Sequence, residues 1–353
     1  MEIREQVPLA PLTTIGLGGR AQYLVQCHRA AEIREAFRFA DAHHAPVLVL
    51  GGGSNIIFPD AGFPGLVVRV TGGGCGFREN GDLVDVKAGA GVAWDQLVRE
   101  SVSRGYSGIE CLSGIPGTVG GTPIQNVGAY GQEVAETLVS VSCLSRDGLD
   151  AVTFGNATCG FGYRTSRFKR EDRDRYVVLD VSFRLRRNAV PVLRYPELAD
   201  AVAAKGDLAS LPPRDGVRLV RDTVLALRRR KAMVVDPADP DTRSVGSFFV
   251  NPVLTADAFS EMEVRWIARG GSGTIPTFPA GDGVKVPAAW LVEQAGFKKG
   301  FQKNGVGISS RHALALVNLG GTTARLLALA QEIERAVREK FGVELEREPV
   351  VVG

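Results

Sequence analysis

The sequence predicts an α+β fold spread over two or three domains. Its 353 residues exceed the usual length of a single domain. Strand-like apolar runs outnumber helical patterns through the first two blocks of the chain, which argues against a doubly wound α/β sheet. Glycine is abundant, 43 residues in all, against an ordinary share of about 7 %, and it gathers in loops that follow apolar runs.

The first block covers residues 1–71. Ile33, Ala36 and Ala40 share one face of a helix expected over Glu32–His43. The strand Val47–Leu50 follows, then Gly51–Asn55 (GGGSN), Ile56–Phe58 and a further strand at 65–70. The second block, 72–209, holds strands at Asp82–Ala88, Leu138–Leu144 and Tyr176–Leu185. Its helix Ala93–Ser103 turns Trp94, Leu97, Val98 and Val102 inward. Lys205–Gly216 reads as a linker. The third block, 217–353, opens with a helix whose Val217, Val220, Val224 and Leu227 align before an RRRK run at Arg228–Lys231. It ends in an amphipathic helix capped by Thr322 or Thr323, with Leu326, Ala330, Ile333, Val337 and Phe341 as its apolar stripe.

The remaining composition narrows the function. The chain is 44 % hydrophobic and 23 % charged, with a net charge of +3. That is an ordinary soluble balance, with no reason to expect nucleic acid as a partner. No apolar run reaches the roughly 18 residues of a membrane span, and MEIREQVPLAPLTTIGLGG lacks the core of a signal peptide. Cys27, Cys75, Cys111, Cys143 and Cys159 form no C-x-x-C pair and read as buried thiols of a reducing cytoplasm. The chain has four histidines, and no metal site is expected.

The glycine loops carry the functional signal. No G-x-x-x-x-G-K-[ST] motif exists. Gly16–Ala21 fits G-x-G-x-x-A, but a strand follows it where a dinucleotide fingerprint needs a helix. Three loops remain: Gly51–Asn55, Gly89–Gly91 (GAG) and Ser113–Gly131 (SGIPGTVGGTPIQNVGAYG). Bare backbone of this kind serves φ > 0 turns or close approach, and its N–H groups suit phosphates. With Ser54, Asn55, Gln125 and Asn126 as neutral polar groups, the loops suit one long dinucleotide, FAD before NAD.

In order and spacing, GGGSNIIF, AGAGVAWDQL, IPGTVGGTPIQNVGAYG, FGYRTSRFK, GSFFVNP and LEREP closely resemble the bacterial UDP-N-acetylenolpyruvoylglucosamine reductases. The likeness spans nearly the whole chain. It implies a two-part FAD-binding module of the vanillyl-alcohol-oxidase (PCMH) type over 1–71 and 72–209. A smaller α/β substrate-binding domain would follow. It implies non-covalent FAD held by Gly51, Gly52, Gly53, Ser54, Asn55, Gly117, Gly120, Gly121, Gln125, Asn126 and Gly128. The reaction implied is reduction of the enolpyruvyl ether of a UDP-sugar by NADPH, in a cytoplasmic monomer without membrane insertion.

That chemistry adds hydride to a vinyl CH2 and a proton to the next carbon, with charge building on the carboxylate. On the residues alone, Arg164 reads as a surface strand arginine and Ser247 as a turn residue. The resemblance makes Arg164 the cation over the enolate and Ser247 the proton donor. Glu344, Glu346 and Glu348 alternate, so in a strand they would share a face. The family register selects Glu348 as the catalytic carboxylate, with Glu346 as the alternative. The resemblance further assigns Tyr130, Tyr163, Tyr195, Arg228, Lys231, Asn251 and Lys285 to the substrate, Tyr195 on a mobile loop. Val250 stands where the GSFF motif of the family carries a lysine. Two other readings stay open: an FAD oxidase of the same fold, and a non-catalytic UDP-sugar-binding regulator.

Overall fold

In the computed structural model, which describes residues 1–353, the apolar runs of the first block pair as parallel strands. Arg20–Cys27 and Val47–Leu50 flank Phe63–Val70, and Ile3–Pro8 forms the far edge. Helix α1 (Ala30–Ala42) covers this sheet with Ile33, Ala36, Phe37 and Ala40. Val47–Leu50 and the middle of Phe63–Val70 are continuous Val and Leu, as inner parallel strands tend to be, while Arg20–Cys27 alternates and Ile3–Pro8 is largely exposed.

The second sheet is antiparallel. Its path runs Ala151–Gly155, Leu138–Ser145, Tyr176–Arg187, Leu83–Gly89 and Cys75–Asn80, with Tyr106–Ser107 pairing on Tyr176–Arg187. Helix α2 (Trp94–Ser103) buries the expected Trp94, Leu97, Val98 and Val102 against it. Short α3 (Pro196–Ala203) and long α4 (Pro213–Arg230) pack together through Leu198, Val202, Val220, Val224 and Leu227.

The chain divides into two compact units. The first holds Met1–Val7, Ala21–Gly53 and Phe63–Val234; the second holds Pro8–Arg20, Ser54–Gly62 and Val235–Gly353. This differs from the expected blocks in two ways. The expected break at Lys205–Gly216 lies inside the first unit, because α4 buries its apolar stripe on α3 and Cys111 instead of opening a new core. And two short segments of the first block belong to the second unit. There Ile15, Leu17 and Ile57 join the core of α5 (Ala256–Ala268), α6 (Ala288–Gln294) and α7 (Thr323–Phe341).

The second unit has a four-stranded sheet in the order Ser244–Ser247, Ala315–Asn318, Val306–Ile308, Gln302–Lys303, and a three-stranded one of Val253–Leu254, Gly283–Lys285 and Phe278–Ala280. Both are antiparallel. Ile56–Ile57 and Val350–Val351 pair in parallel. Of the two candidate caps of α7, Thr322 is the N-cap, its hydroxyl accepting from the Arg325 N–H. Thr323 donates instead to the Phe58 carbonyl at 2.7 Å. The G-x-G-x-x-A match is explained here: a Cβ on Gly18 would lie 2.6 Å from Phe58 Cβ, and one on Gly19 only 2.3 Å from Asp60 O. These glycines serve chain packing.

One ion pair joins three parts of the first unit. Arg221 of α4 donates from both Nη atoms to Asp95 of α2, at 2.7 and 2.8 Å, and Asp95 also accepts from the Gly114 N–H at 2.6 Å. Burial pushes the Asp95 carboxyl up. The Arg221 and Gly114 hydrogen bonds and the nearby guanidinium charge outweigh it and leave the carboxyl below its ordinary value. A depressed folded value means stability present above the unfolded carboxylate pKa, about 4, and lost as pH falls through the folded one. Asp95→Asn is therefore expected to lower the melting temperature at pH 7 by a few degrees. The gap to wild type should close below about pH 4, and thermal melts across pH 3–7 would read it. A gap of constant width would show that the charge of Asp95 does not stabilise the fold.

Candidate active site

The glycine loops do come together, and mainly upon one another. A Cβ on Gly52 would sit 2.5 Å from Gly117 Cα, and one on Gly120 2.6 Å from Ala90 Cβ. The Trp94 N–H donates to Gly117 O, Val119 N–H to Val92 O and Gly120 N–H to Ala90 O, at 2.9–3.0 Å. Gly121 and Thr122 also donate within the chain, to Thr118 O and Val119 O. The N–H groups of 119–122, expected to face phosphates, thus hold the loops together. Gly121 is different: it is exposed and a Cβ there would meet nothing within 4 Å. It offers bare backbone to open space beside a ridge without charged side chains, which fits a long, flat dinucleotide such as FAD.

Asn126 and Gly128, expected on the cofactor, are used by the chain. Asn126 is buried; its Nδ2 donates to Glu133 Oε2 at 2.7 Å and Gly162 O at 3.1 Å, and its Oδ1 accepts from the Ala135 N–H at 3.0 Å. Both amide hydrogens are engaged, one of them on the Gly162–Thr165 turn. Arg164 sits on that turn at φ +54°, one of ten non-glycine residues held in the left-handed region. Its Nη2 donates to Gly128 O at 2.6 Å, and its guanidinium carbon lies 5.2 Å from the Tyr163 ring centre. A Cβ on Gly128 would come within 2.9 Å of Arg164 Nη1. The Gln132 carbonyl and Glu133 Cγ lie at the same distance, so backbone as well as Arg164 crowds Gly128. Tyr163 is exposed.

A second cluster of the first unit gathers Tyr130, Tyr195, Arg228 and Lys231. Tyr130, also left-handed at φ +49°, meets Tyr195 edge-on at 5.5 Å, with Lys231 Nζ 5.9 Å from its ring centre. Burial pushes the Tyr130 phenol up to about 12, so it is a hydroxyl donor at neutral pH. Arg228 is buried, donates to Met233 O at 2.7 Å, and keeps a buried Nε without a partner. Lys231 pairs with Glu197 at 2.5 Å, and Arg230 with the same carboxylate at 2.9 Å. Tyr195 is the N-cap of α3, not a free loop tip: the helix that Pro196 begins went unrecognised in the sequence. Glu197, an acid in that first turn, was the signal for it.

In the second unit the tail is not the continuous strand expected. Residues 343–349 are extended and meet Phe249 at a single antiparallel bridge through Arg347; only Val350–Val351 is a strand. Val343, Leu345 and Pro349 point inward, so Glu344 and Glu346 are exposed and Glu348 is half-buried. The Glu348 N–H donates to Phe248 O at 2.9 Å, and its carbonyl accepts from Asn55 Nδ2 at 3.3 Å. Asn55 therefore also holds the tail. Ser247 ends a strand whose register against Ala315–Asn318 slips at Gly246, φ +78°. That bulge re-aims the chain just before the serine. Nearby in sequence, Asn251 Oδ1 caps α6 by accepting from the Ala288 N–H at 2.9 Å, and Lys285 pairs with Val253. Val250, at the lysine position, gives its N–H to Glu346 O.

The first unit is the fold of an FAD-binding protein: residues 21–150 match the FAD binding domain model. Residues 237–352 match the C-terminal domain model of UDP-N-acetylenolpyruvoylglucosamine reductase. A reductase of that name from Thermobifida fusca is 49 % identical, covering 98 % of this chain and 97 % of its own. That from Mycolicibacterium smegmatis is 44 % identical over all of this chain. The crystal structure of the Thermus caldophilus enzyme superposes with a TM-score of 0.64 at 25 % identity, covering 100 % of this chain and 98 % of that one. The chain belongs to the UDP-N-acetylenolpyruvoylglucosamine reductase family.

Two glycines separate loop packing from cofactor contact. Gly52→Ala forces a Cβ onto Gly117 backbone and is expected to destabilise the protein by about 1–3 kcal/mol even when stripped of flavin. Gly121→Ala should leave the melting temperature of the stripped protein unchanged and weaken FAD binding, read by titration. If Gly121→Ala binds FAD as tightly as wild type, Gly121 does not face the cofactor.

Proposed function

We propose that the protein is the NADPH-dependent flavoenzyme that reduces UDP-N-acetylglucosamine enolpyruvate to UDP-N-acetylmuramate, acting as a cytoplasmic monomer. Full-length identity of 49 % to a reductase of that name supports it. No helix is long and apolar enough to cross a membrane. The observation that carries the site is the Glu348-to-Phe248 backbone bond, which joins the half-buried tail glutamate to the strand of Ser247.

Gly51, Gly52, Gly53, Ser54, Gly121 and Gln125 hold FAD. Gly117 and Gly120 shape its loops, and Asn55, Asn126 and Gly128 position the residues around it. FAD when bound supplies the two-electron chemistry that links NADPH to the vinyl ether. Arg164, permanently charged, holds the substrate carboxylate and stabilises the charge that builds there. Ser247 delivers the proton to the adjacent carbon, and Glu348 supplies the carboxylate of the same step. Arg228 and Lys231 bind the UDP-sugar with the Tyr130 and Tyr195 hydroxyls, and Tyr163, Asn251 and Lys285 line the substrate.

Ser247→Ala is expected to leave flavin bleaching by NADPH intact and to slow its return on adding the enolpyruvyl sugar by about a hundredfold or more. Stopped-flow absorbance separates the two. Near-normal return of the flavin band would remove Ser247 from the chemistry. Glu348→Gln should lower turnover by about a hundredfold with UDP-sugar binding kept, whereas Glu346→Gln, on an exposed side chain, should change turnover little. A larger loss from Glu346→Gln would move the assignment by one strand period.

A further inference from the structure

We propose that Lys169 is a positioning residue for Arg164, an inference that rests on the role given to Arg164 above. Lys169 closes the FGYRTSRFK stretch, and its Nζ donates to the Arg164 carbonyl at 3.2 Å. Arg164 itself is held at φ +54°, a region that a residue with a Cβ rarely adopts. Such a conformation persists where the surrounding structure over-determines it, and it gathers at sites where a side chain must face a ligand.

Tyr163 and Arg164 form a two-residue turn closed from both sides, by the Gly162 N–H on Thr165 O at 3.1 Å and the Thr165 N–H on Gly162 O at 3.2 Å. The peptide unit joining Arg164 to Thr165 is therefore held at both polar ends, its N–H on Gly162 O and its C=O on the Lys169 ammonium. A donor that is itself an ion makes the stronger kind of hydrogen bond. Beyond the backbone, the Arg164 guanidinium donates to Gly128 O at 2.6 Å. A return of Arg164 to the right-handed region would turn its side chain relative to that peptide unit. The placement of the guanidinium and the orientation of the peptide thus belong to one backbone state. Lys169 acts on the left-handed residue itself, whereas Asn126, through Gly162 O, acts on the shoulder of the turn. The base of Lys169 is firm. Its N–H donates to Ser166 O at 3.1 Å. Ser166 is fully buried; its Oγ donates to Ile124 O at 2.6 Å and accepts from the Phe168 N–H at 3.2 Å, and Phe168 lies in the core under the second sheet. The lysine ties the left-handed turn to that core and to the Ser113–Gly131 loop. It holds the main chain of Arg164, and its effect on substrate passes through that residue.

The test compares the holoenzyme with Lys169→Met, which keeps the stem and removes the donor, with Lys169→Arg, which restores a charged donor, with Arg164→Met, and with Lys169→Met and Arg164→Met combined. We expect Lys169→Met to slow the return of the flavin band on adding the enolpyruvyl sugar by about ten- to a hundredfold, the range for small misplacement of a catalytic group. Bleaching by NADPH, flavin content and melting temperature should stay at wild-type values, and Lys169→Arg should recover most of the rate. In the Arg164→Met background, Lys169→Met should add no further loss. A normal return of the band in Lys169→Met, alongside a collapse in Arg164→Met, would overturn the positioning role and leave Arg164 in place. Losses that multiply with that of Arg164→Met, or that follow the melting temperature, would overturn it as well. If Arg164→Met returns its flavin band like wild type, the assignment of Arg164 itself falls, and the positioning role falls with it.

Discussion

Backbone packed directly on backbone is the constraint on which the first unit depends. Gly52 against Gly117, Gly120 against Ala90 and Gly91 against Thr71 approach so closely that a Cβ at each glycine would lie 2.4–2.6 Å from the facing atom. Side-chain rearrangement cannot relieve such contacts, since backbone or Cβ atoms are on the other side. The contacts bring three loops, each following or preceding a different strand, into one uncharged ridge. The same contacts carry the hydrogen bonds of Trp94, Val119 and Gly120, so donors that would otherwise be orphaned are satisfied inside the ridge. The ridge is therefore rigid before any ligand arrives, which reduces the ordering entropy a bound dinucleotide must overcome.

This reverses part of the sequence logic. A polar or bare residue in a glycine loop reads naturally as a ligand contact, and Asn126, Gly128 and Asn55 invite that reading. Asn126 bonds Glu133, Gly162 and Ala135; Gly128 lies against Arg164 and Gln132 O; Asn55 holds the carbonyl of Glu348. Gly128 and Asn55 contact residues proposed to act on the substrate, and Asn126 holds the turn that carries one of them. From sequence a contact to ligand and a contact to a neighbour look alike, because both need a small or neutral group at a fixed place.

What was legible follows from periodicity. The strands at 47–50, 83–89, 138–145 and 176–187 and the helices over 30–42, 94–103 and 323–341 lie within a few residues of expectation, because each buries an apolar stripe of regular spacing. The helix that Tyr195 caps was not legible, because α3 is only eight residues long and begins at a proline that looks like a breaker. The tail failed for another reason. Glu344, Glu346 and Glu348 alternate as a strand would, but Phe249 is the only bridge partner available, and the ladder does not propagate. Alternation describes which side a residue faces, not whether a neighbour strand exists. Alternation alone does not separate the three glutamates; the burial of the folded tail does, and Glu348 is the least exposed of them.

The charges near Tyr130 make a related point about energetics. Lys231 and Arg230 already share the Glu197 carboxylate, and Arg228 is buried with carbonyl partners. Arg228 is desolvated in folding and Lys231 largely so, while Arg230 stays exposed. An anionic ligand reaching Lys231 exchanges one anionic partner for another, so the net gain is smaller than that of pairing two solvated ions, while discrimination against a neutral ligand is kept. Arg228 differs, since its buried Nε is unpartnered in the protein. A new acceptor at that nitrogen would satisfy a donor that the fold leaves open, a change worth more than a surface ion pair.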